Sequence, residues 1–311
     1  MTFNEIFPEF IRSKKRQVKE STLNAYLGMW HTHLRDYFGP LNVEDIRNRH
    51  LQDFVDREID EGRLSVKSIQ DNVTLIKTIL NWAQLRYELP VYPIKLIYPT
   101  CNKTMKEELD VYTQAEQRIL IDYILEHPSH VNMSILMALT TGMRIGEVCG
   151  ITYEDIDFLK HCVSVNKTIY RMVDYSRHDK GVRSSRIIIN TPKTRSSQRV
   201  IPLSPVVAKW YKKSLDLYGH KSWYVASNAP KATEPRTMRE HYKRLLKACG
   251  LRYIKFHGLR HTFASTLILN KTDPKTVAAL MGHSSVDMTL NVYSHSTDEF
   301  KRKAVKSAFK I

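Results

Sequence analysis

Residues 256–262 read FHGLRHT, two histidines and an arginine within seven positions. His257 and His261 stand four apart, so they share a face of any helix that carries them, which is the spacing zinc-binding helices use. Three readings compete. A zinc site needs deprotonated ligands at matched spacing and usually a third protein ligand. Here Gly258 stands where a metalloprotease helix carries its glutamate, and the further ligand would have to be His283 of LMGHSS (280–285). A packing reading leaves both histidines as caps or core contacts. A phosphate reading centres on Arg260, whose guanidinium fork matches two phosphate oxygens and stays charged at every working pH. His257 then lies one turn before Arg260 on the same face, placed to donate a hydrogen bond or to move a proton.

Charge favours an anion. The 311 residues carry 48 Lys and Arg against 32 Asp and Glu, a net of +16. Residues 1–100 hold 14 basic and 13 acidic side chains, so almost all of the excess lies in the remainder. A polyanion is the natural partner of such a field, nucleic acid first. The opening MTFNEIFPEFIRSKKRQ has no apolar stretch of the signal-peptide kind, and no apolar run reaches the length of a membrane span, which points to a cytoplasmic protein. Cys101, Cys149, Cys162 and Cys249 are scattered with no C-x-x-C pair, a pattern of free thiols without a disulfide framework or zinc ribbon.

Along the chain, apolar residues recur at helical spacing over 21–39 (Leu23, Tyr26, Leu27, Trp30, Leu34, Tyr37, Phe38), 42–62 and 65–90, a small bundle with one apolar face per helix. The stretch 90–108 holds Pro90, Pro93 and Pro99 without a sustained period, and reads as a linker. A helix over 112–127 opens with the capping box Thr113-x-x-Glu116. Residues 135–152 read as helix, glycine break and short helix. CVSVNKTIYRMV (162–173) and RSSRIIINTPKTRSSQRVIPL (183–203) are rich in β-branched residues and read as strands. Helices are predicted over 205–218, 236–249, 258–269 and 274–281, and an amphipathic one near 297–309.

Further chemistry-bearing residues lie in these segments. TTGMRIGE (140–147) places Arg144 just after a glycine break, at a helix start where the dipole disfavours a cation. NTPKTRSSQRVIPL (190–203) places Lys193 in a tight turn between strands, and TLNVYSH (289–295) supplies Tyr293. Each alone is an ordinary surface or packed residue. Together, two arginines, two histidines, a lysine and a tyrosine on a basic domain suit attack on a phosphodiester by a side-chain oxygen.

TGMRIGE, TPKTRSSQRVIPL, FHGLRHTFAS, LMGHSS and TLNVYSH, in this order and spacing, resemble the motifs of the tyrosine recombinases, the phage integrase family. The resemblance covers about 110–300 and, more weakly, the helical 1–95. It implies an α+β, mostly helical fold: a helical, SAM-like core-type DNA-binding domain over 1–95, a linker over 96–110, and a mixed α/β catalytic domain over 111–311 with a small antiparallel sheet and a tail helix about 297–309. It implies that Tyr293 is the nucleophile that forms a 3′-phosphotyrosine and frees a 5′-hydroxyl. Arg144 and Arg260 match the clamp on the non-bridging oxygens, and Lys193 the general acid on the leaving oxygen. His257 matches the proton-transfer histidine, His283 a second phosphate donor and Glu147 an acidic support. His261 is then structural.

The resemblance further implies a site-specific recombinase of a mobile element. It would need no metal, cofactor or ATP, act on double-stranded DNA as a homo-tetramer through a Holliday junction, dock its tail on a neighbouring protomer, and work with an accessory excision or DNA-bending factor. The insertion RMVDYSRHDKGVRSSR (171–186) is closer in look to integrases of phages and conjugative transposons than to compact chromosome-dimer resolvases. Many of those integrases carry a further N-terminal arm-binding domain, whereas this sequence starts at the core-type domain. Two alternatives share the motifs: a non-catalytic DNA-binding protein of the same fold, and a type IB topoisomerase-like enzyme that reseals the strand it cuts.

Overall fold

Thr2 and Glu5 open the first helix, α1 (Phe3–Lys14). The Glu5 carboxylate accepts the Thr2 backbone N–H at 2.8 Å and the Thr2 hydroxyl accepts the Glu5 N–H at 3.4 Å, a reciprocal cap that satisfies two otherwise orphaned donors. The helix continues through Pro8. The run expected over 21–39 is a near-continuous rod: α2 (Glu20–Met29), one π-helical turn (Trp30–Leu34) and α3 (Arg35–Phe38). The segment expected to be helical from 42 starts later, with a 3₁₀ turn at Val43–Asp45 and α4 at Asn48–Asp60. Ser65 caps α5 (Val66–Tyr87) by accepting the Ser68 N–H.

These helices share a core in which Phe3, Phe10, Leu34, Phe38, Leu51, Phe54, Ile76 and Ile79 are fully buried. Each such side chain contributes roughly 1.5–3 kcal/mol by leaving water. Phe7 stacks on Trp30 with ring centroids 4.3 Å apart, which ties α1 to the π-helical turn. Part of the stretch read as linker packs on this same core through Val91, Ile94, Leu96 and Tyr98. The Gln52 amide holds Ile97 at both backbone groups, donating to its carbonyl and accepting its N–H, each at 2.9 Å. Asn48 accepts the Lys95 N–H at 2.7 Å. Two side-chain amides on α4 thus take the place of a partner strand.

The second core is built around α7 (His130–Thr141), where every residue from Asn132 to Leu139 is buried. A helix apolar on all faces belongs at the centre of its domain. Around it lie α6 (Gln114–Glu126), with the expected Thr113–Glu116 capping box, and α8 (Ile145–Gly150). Farther along the chain come α9 (Pro205–Tyr218), α10 (Pro235–Ala248), α11 (Phe256–Leu269) and α12 (Pro274–Met281).

Strands β1 (Ile156–Asp157), β2 (Cys162–Val165) and β5 (Arg199–Pro202) form an antiparallel sheet in the order β1-β2-β5. Val163 pairs with Ile201, and both face the core. Strands β3 (Thr168–Asp174) and β4 (Ser184–Asn190) make a separate two-stranded sheet. The stretch 162–173, expected as one strand, breaks at Asn166 and Lys167. There the Asn166 amide donates to Asp155 at 2.8 Å and the Lys167 ammonium lies 2.9 Å from the same carboxylate.

This computed structural model describes residues 1–99, 110–175, 184–190, 198–283 and 285–286. By packing, the chain divides into two units, Met1–Thr104 with Met172–Arg186, and Met105–Arg171 with Ile187–Ile311. The mostly helical α+β fold with small sheets is the one anticipated; the tail near 297–309 lies outside the described residues. Among the described residues no helix is long and apolar enough to cross a membrane.

Candidate active site

The glycine break after α7 sets the first part of the site. Gly142 adopts φ +65° and closes α7 by donating its N–H to Ala138 at 3.0 Å. The chain then runs extended into Arg144, which caps α8. The dipole conflict expected at this arginine is answered by Glu147 one turn on. Its buried carboxylate accepts the Arg144 backbone N–H at 2.8 Å and the Arg144 guanidinium at 2.9 Å. A carboxylate in the first turn is where the dipole favours one. The Arg144 side chain stays about 40% exposed, open to a ligand while held from behind.

Arg260 is built into the interior, at 2% exposure, on the buried side of α11. Its guanidinium donates to the Gly142 carbonyl at 2.8 Å and to the Met281 carbonyl at the end of α12. One side chain therefore joins the loop that carries Arg144 to the helix end that carries His283. The approach of α11 is close: a Cβ on Gly258 would come within 2.8 Å of the Asp110 carbonyl oxygen. Thr262 takes the Tyr112 N–H at 3.0 Å, which fixes α11 against the start of this unit.

His283 owes its position to local sequence. Gly282 at φ +64° ends α12, and the His283 N–H reaches back to the Ala278 carbonyl at 3.0 Å, the six-to-one bond of a Schellman motif. Burial, then the charges of Arg260, Arg144 and Arg199, push His283 down to about 4. His257 is exposed on α11 but partly covered. That cover, with His261, Arg260 and Arg144 beside it, likewise pushes its imidazole down to about 4. Burial and then Arg144 pull even Arg260 down to about 9. At neutral pH both imidazoles are therefore neutral and Arg260 is charged. Three guanidiniums, Arg144, Arg199 and Arg260, thus outnumber the one carboxylate, Glu147, and the net positive field suits an anion.

Arg144, Glu147, His257, Arg260 and His283 thus gather in one electrostatic neighbourhood. Lys193 and Tyr293 lie outside the described residues. His257 and His261 meet edge to face with centroids 4.8 Å apart, and among the described residues no group of three or more His, Cys, Asp or Glu converges on a common point. The surrounding arginines would repel a metal cation and attract a phosphate. Arg199, the first residue of β5, escaped the sequence reading. Its side chain is 6% exposed and pairs with Glu147 at 3.1 Å. Burial pushes the Glu147 carboxyl up, but donation from Arg199 and the charges of Arg199 and Arg144 outweigh it and hold it below the usual range. The signal available in QRVIPL was a lone arginine opening a strand of otherwise apolar character.

The phage integrase family matches residues 111–299, and the N-terminal SAM-like domain of phage integrases matches residues 2–59. A tyrosine recombinase XerC-like protein of Caldanaerobacter subterraneus subsp. tengcongensis is 26% identical over 309 residues, spanning 93% of this chain and 78% of that protein. The integrase of transposon Tn1549, solved in complex with transposon right end DNA, superposes over 99% of both chains with a TM-score of 0.75 at 21% identity. A lambda integrase, solved as a tetramer bound to a Holliday junction, superposes over 94% of this chain and 77% of that one with a TM-score of 0.65 at 18% identity. With the family matched over most of its length, the chain belongs to the phage integrase family.

Proposed function

We propose that this protein is a site-specific DNA recombinase of a mobile element that cuts and rejoins strands through a 3′-phosphotyrosine. The observation that carries the reading is the meeting of Arg144, Arg260, His257 and His283 in one electrostatic neighbourhood, Arg144 held by the buried Glu147 carboxylate and Arg260 by the Gly142 carbonyl, with both imidazoles neutral and the net field positive.

In this reading the Tyr293 phenol oxygen attacks the scissile phosphorus. The bond from phosphorus to Tyr293 forms as the bond to the 5′-oxygen breaks, and Lys193 gives that oxygen its proton. Arg144 and Arg260 hold the non-bridging oxygens, His283 donates a further hydrogen bond and His257 relays the phenol proton. Glu147 keeps Arg144 in place. Donors set in advance toward developing charge are the largest catalytic contribution in such sites. The covalent link conserves the energy of the cut bond, so rejoining needs neither ATP nor metal.

Residues 1–95 serve as a core-type DNA-binding domain, onto whose core Leu96 and Tyr98 also pack, the rest of 96–110 as a linker and 111–311 as the catalytic domain. The protein acts in the cytoplasm on double-stranded DNA, as a homo-tetramer that passes through a Holliday junction, its tail about 297–309 docked on a neighbour. An accessory excision or DNA-bending factor is a further candidate partner. The family match and the likeness to integrases solved on DNA support this reading. Its test is covalent trapping on nicked duplexes: the protein should become linked to DNA at one preferred site, and a protein that binds DNA tightly but never links to it contradicts the proposal.

A further inference from the structure

Among the described residues Arg199 donates to three acceptors from a nearly buried position. Its Nη1 and Nη2 reach the two oxygens of Glu147 at 3.3 and 3.1 Å, a fork on a carboxylate, and its Nε reaches the Leu280 carbonyl at 2.7 Å. The next carbonyl, that of Met281, is taken by Arg260. Two arginines, one from β5 and one from α11, therefore hold consecutive carbonyls in the last turn of α12. Carbonyls there have no partner within the helix and sit at its negative end, so a guanidinium suits them twice over. Gly282 and His283 follow directly.

Glu147 lies between Arg199 and Arg144 and is itself 2% exposed. A carboxylate buried this far needs compensating charge, and removing one partner of such a pair leaves the other demanding it. Without Arg199, Glu147 would be left with Arg144 alone among these two and would draw that guanidinium inward, away from any ligand. The fork matters as much as the charge. A lysine is a single point and cannot meet two carboxylate oxygens and a carbonyl in one plane.

We propose that Arg199 is a positioning residue of the phosphate site: it locks Glu147 and the end of α12 in one register, so that Arg144 and His283 face the same phosphodiester. This rests on the reading of the site as a strand-transfer centre and assigns Arg199 no contact with DNA.

The test uses the full chain with Arg199→Met, Arg199→Lys and the pair Glu147→Gln/Arg199→Met. Two quantities are read: the single-turnover rate of covalent linkage to a nicked duplex at saturating DNA, and the His283 imidazole NMR signal of the free protein, assigned with His283→Gln. Arg199→Met should lose about 100-fold in rate, comparable to losing a direct donor, with Kd for the duplex within about threefold and the His283 signal displaced. The paired variant should link faster than Arg199→Met, because the orphaned carboxylate no longer holds Arg144. Should Arg199→Met fail to fold, Arg199→Lys carries the comparison, since it keeps the charge and loses the fork; it should slow linkage about tenfold and still displace His283. Parent-like rates in both single variants, or a slower rate with His283 unmoved and no recovery in the pair, would overturn the proposal. If the parent links to no duplex at all, the strand-transfer reading fails separately. The His283 signal then decides for Arg199: displaced, the lock stands; unmoved, it falls.

Discussion

The carbonyl of Gly142 accepts a hydrogen bond at 2.8 Å from the buried guanidinium of Arg260, across 118 residues of sequence. That bond turns a helix-ending glycine into part of the site. Gly142 holds φ +65°, and a Cβ there would come within 2.5 Å of the Phe263 ring and 3.0 Å of the Met281 sulfur. Gly142→Ala should therefore lose on the order of 3 kcal/mol from the left-handed backbone and the overpacking together. A urea titration of the two proteins measures it, and a loss below about 1 kcal/mol would show the loop relaxing freely.

Arg260→Lys keeps the charge but cannot hold both the Gly142 and Met281 carbonyls while leaving donors for a ligand. Covalent linkage should slow by about 10²–10³-fold, with duplex affinity changed far less, because the loss falls on a donor aimed at the transition state. Equal losses in affinity and rate would instead make Arg260 a plain DNA-binding residue.

Stability should fall with acid over a defined window. His257 and His283 lie at about 4 in the folded protein against an ordinary 6.5. Between these values the unfolded chain binds more protons, so stability rises with pH up to about 6.5 and is lost as pH falls toward 4. Urea midpoints of the parent should drop between pH 6.5 and 4.5, and those of His257→Asn/His283→Asn should drop less. An identical slope in both proteins would mean that neither imidazole is held neutral by the fold.

The amide of Gln52 holds Ile97 against α4 at both backbone groups. Gln52→Ala should speed hydrogen exchange at the Ile97 amide about tenfold, the worth of one modest hydrogen bond, while amides inside α5 stay unchanged. Unaltered exchange at Ile97 would place the restraint in the apolar contacts of Leu96 and Tyr98.

What could be read in the sequence was local. His257 and Arg260 fall one turn apart on one helix, His283 follows a glycine that ends another, and Thr113-x-x-Glu116 announces a helix start; each lies within six residues of its cause. The capping pair Thr2 and Glu5 carried the same signal for α1, which went unassigned although its start was legible and Pro8 does not break it. The break at Asn166 was not legible, because its cause is Asp155 on another segment. Arg199 was hidden for the same reason: Glu147 lies 52 residues away, and neither periodicity nor spacing registers such a pair. Part of the proline-bearing stretch read as linker in fact packs on a core, since the side-chain amides that hold it have no pattern of their own.

The most direct test of the central claim is covalent trapping in EDTA, using nicked suicide duplexes tiled across the DNA beside the gene. The parent should give a protein–DNA band on a denaturing gel at one tile, and Tyr293→Phe should give none while still shifting that duplex on a native gel. A band of parent intensity from Tyr293→Phe, or a parent that binds the duplex tightly and links to no tile, would contradict tyrosine-mediated strand transfer.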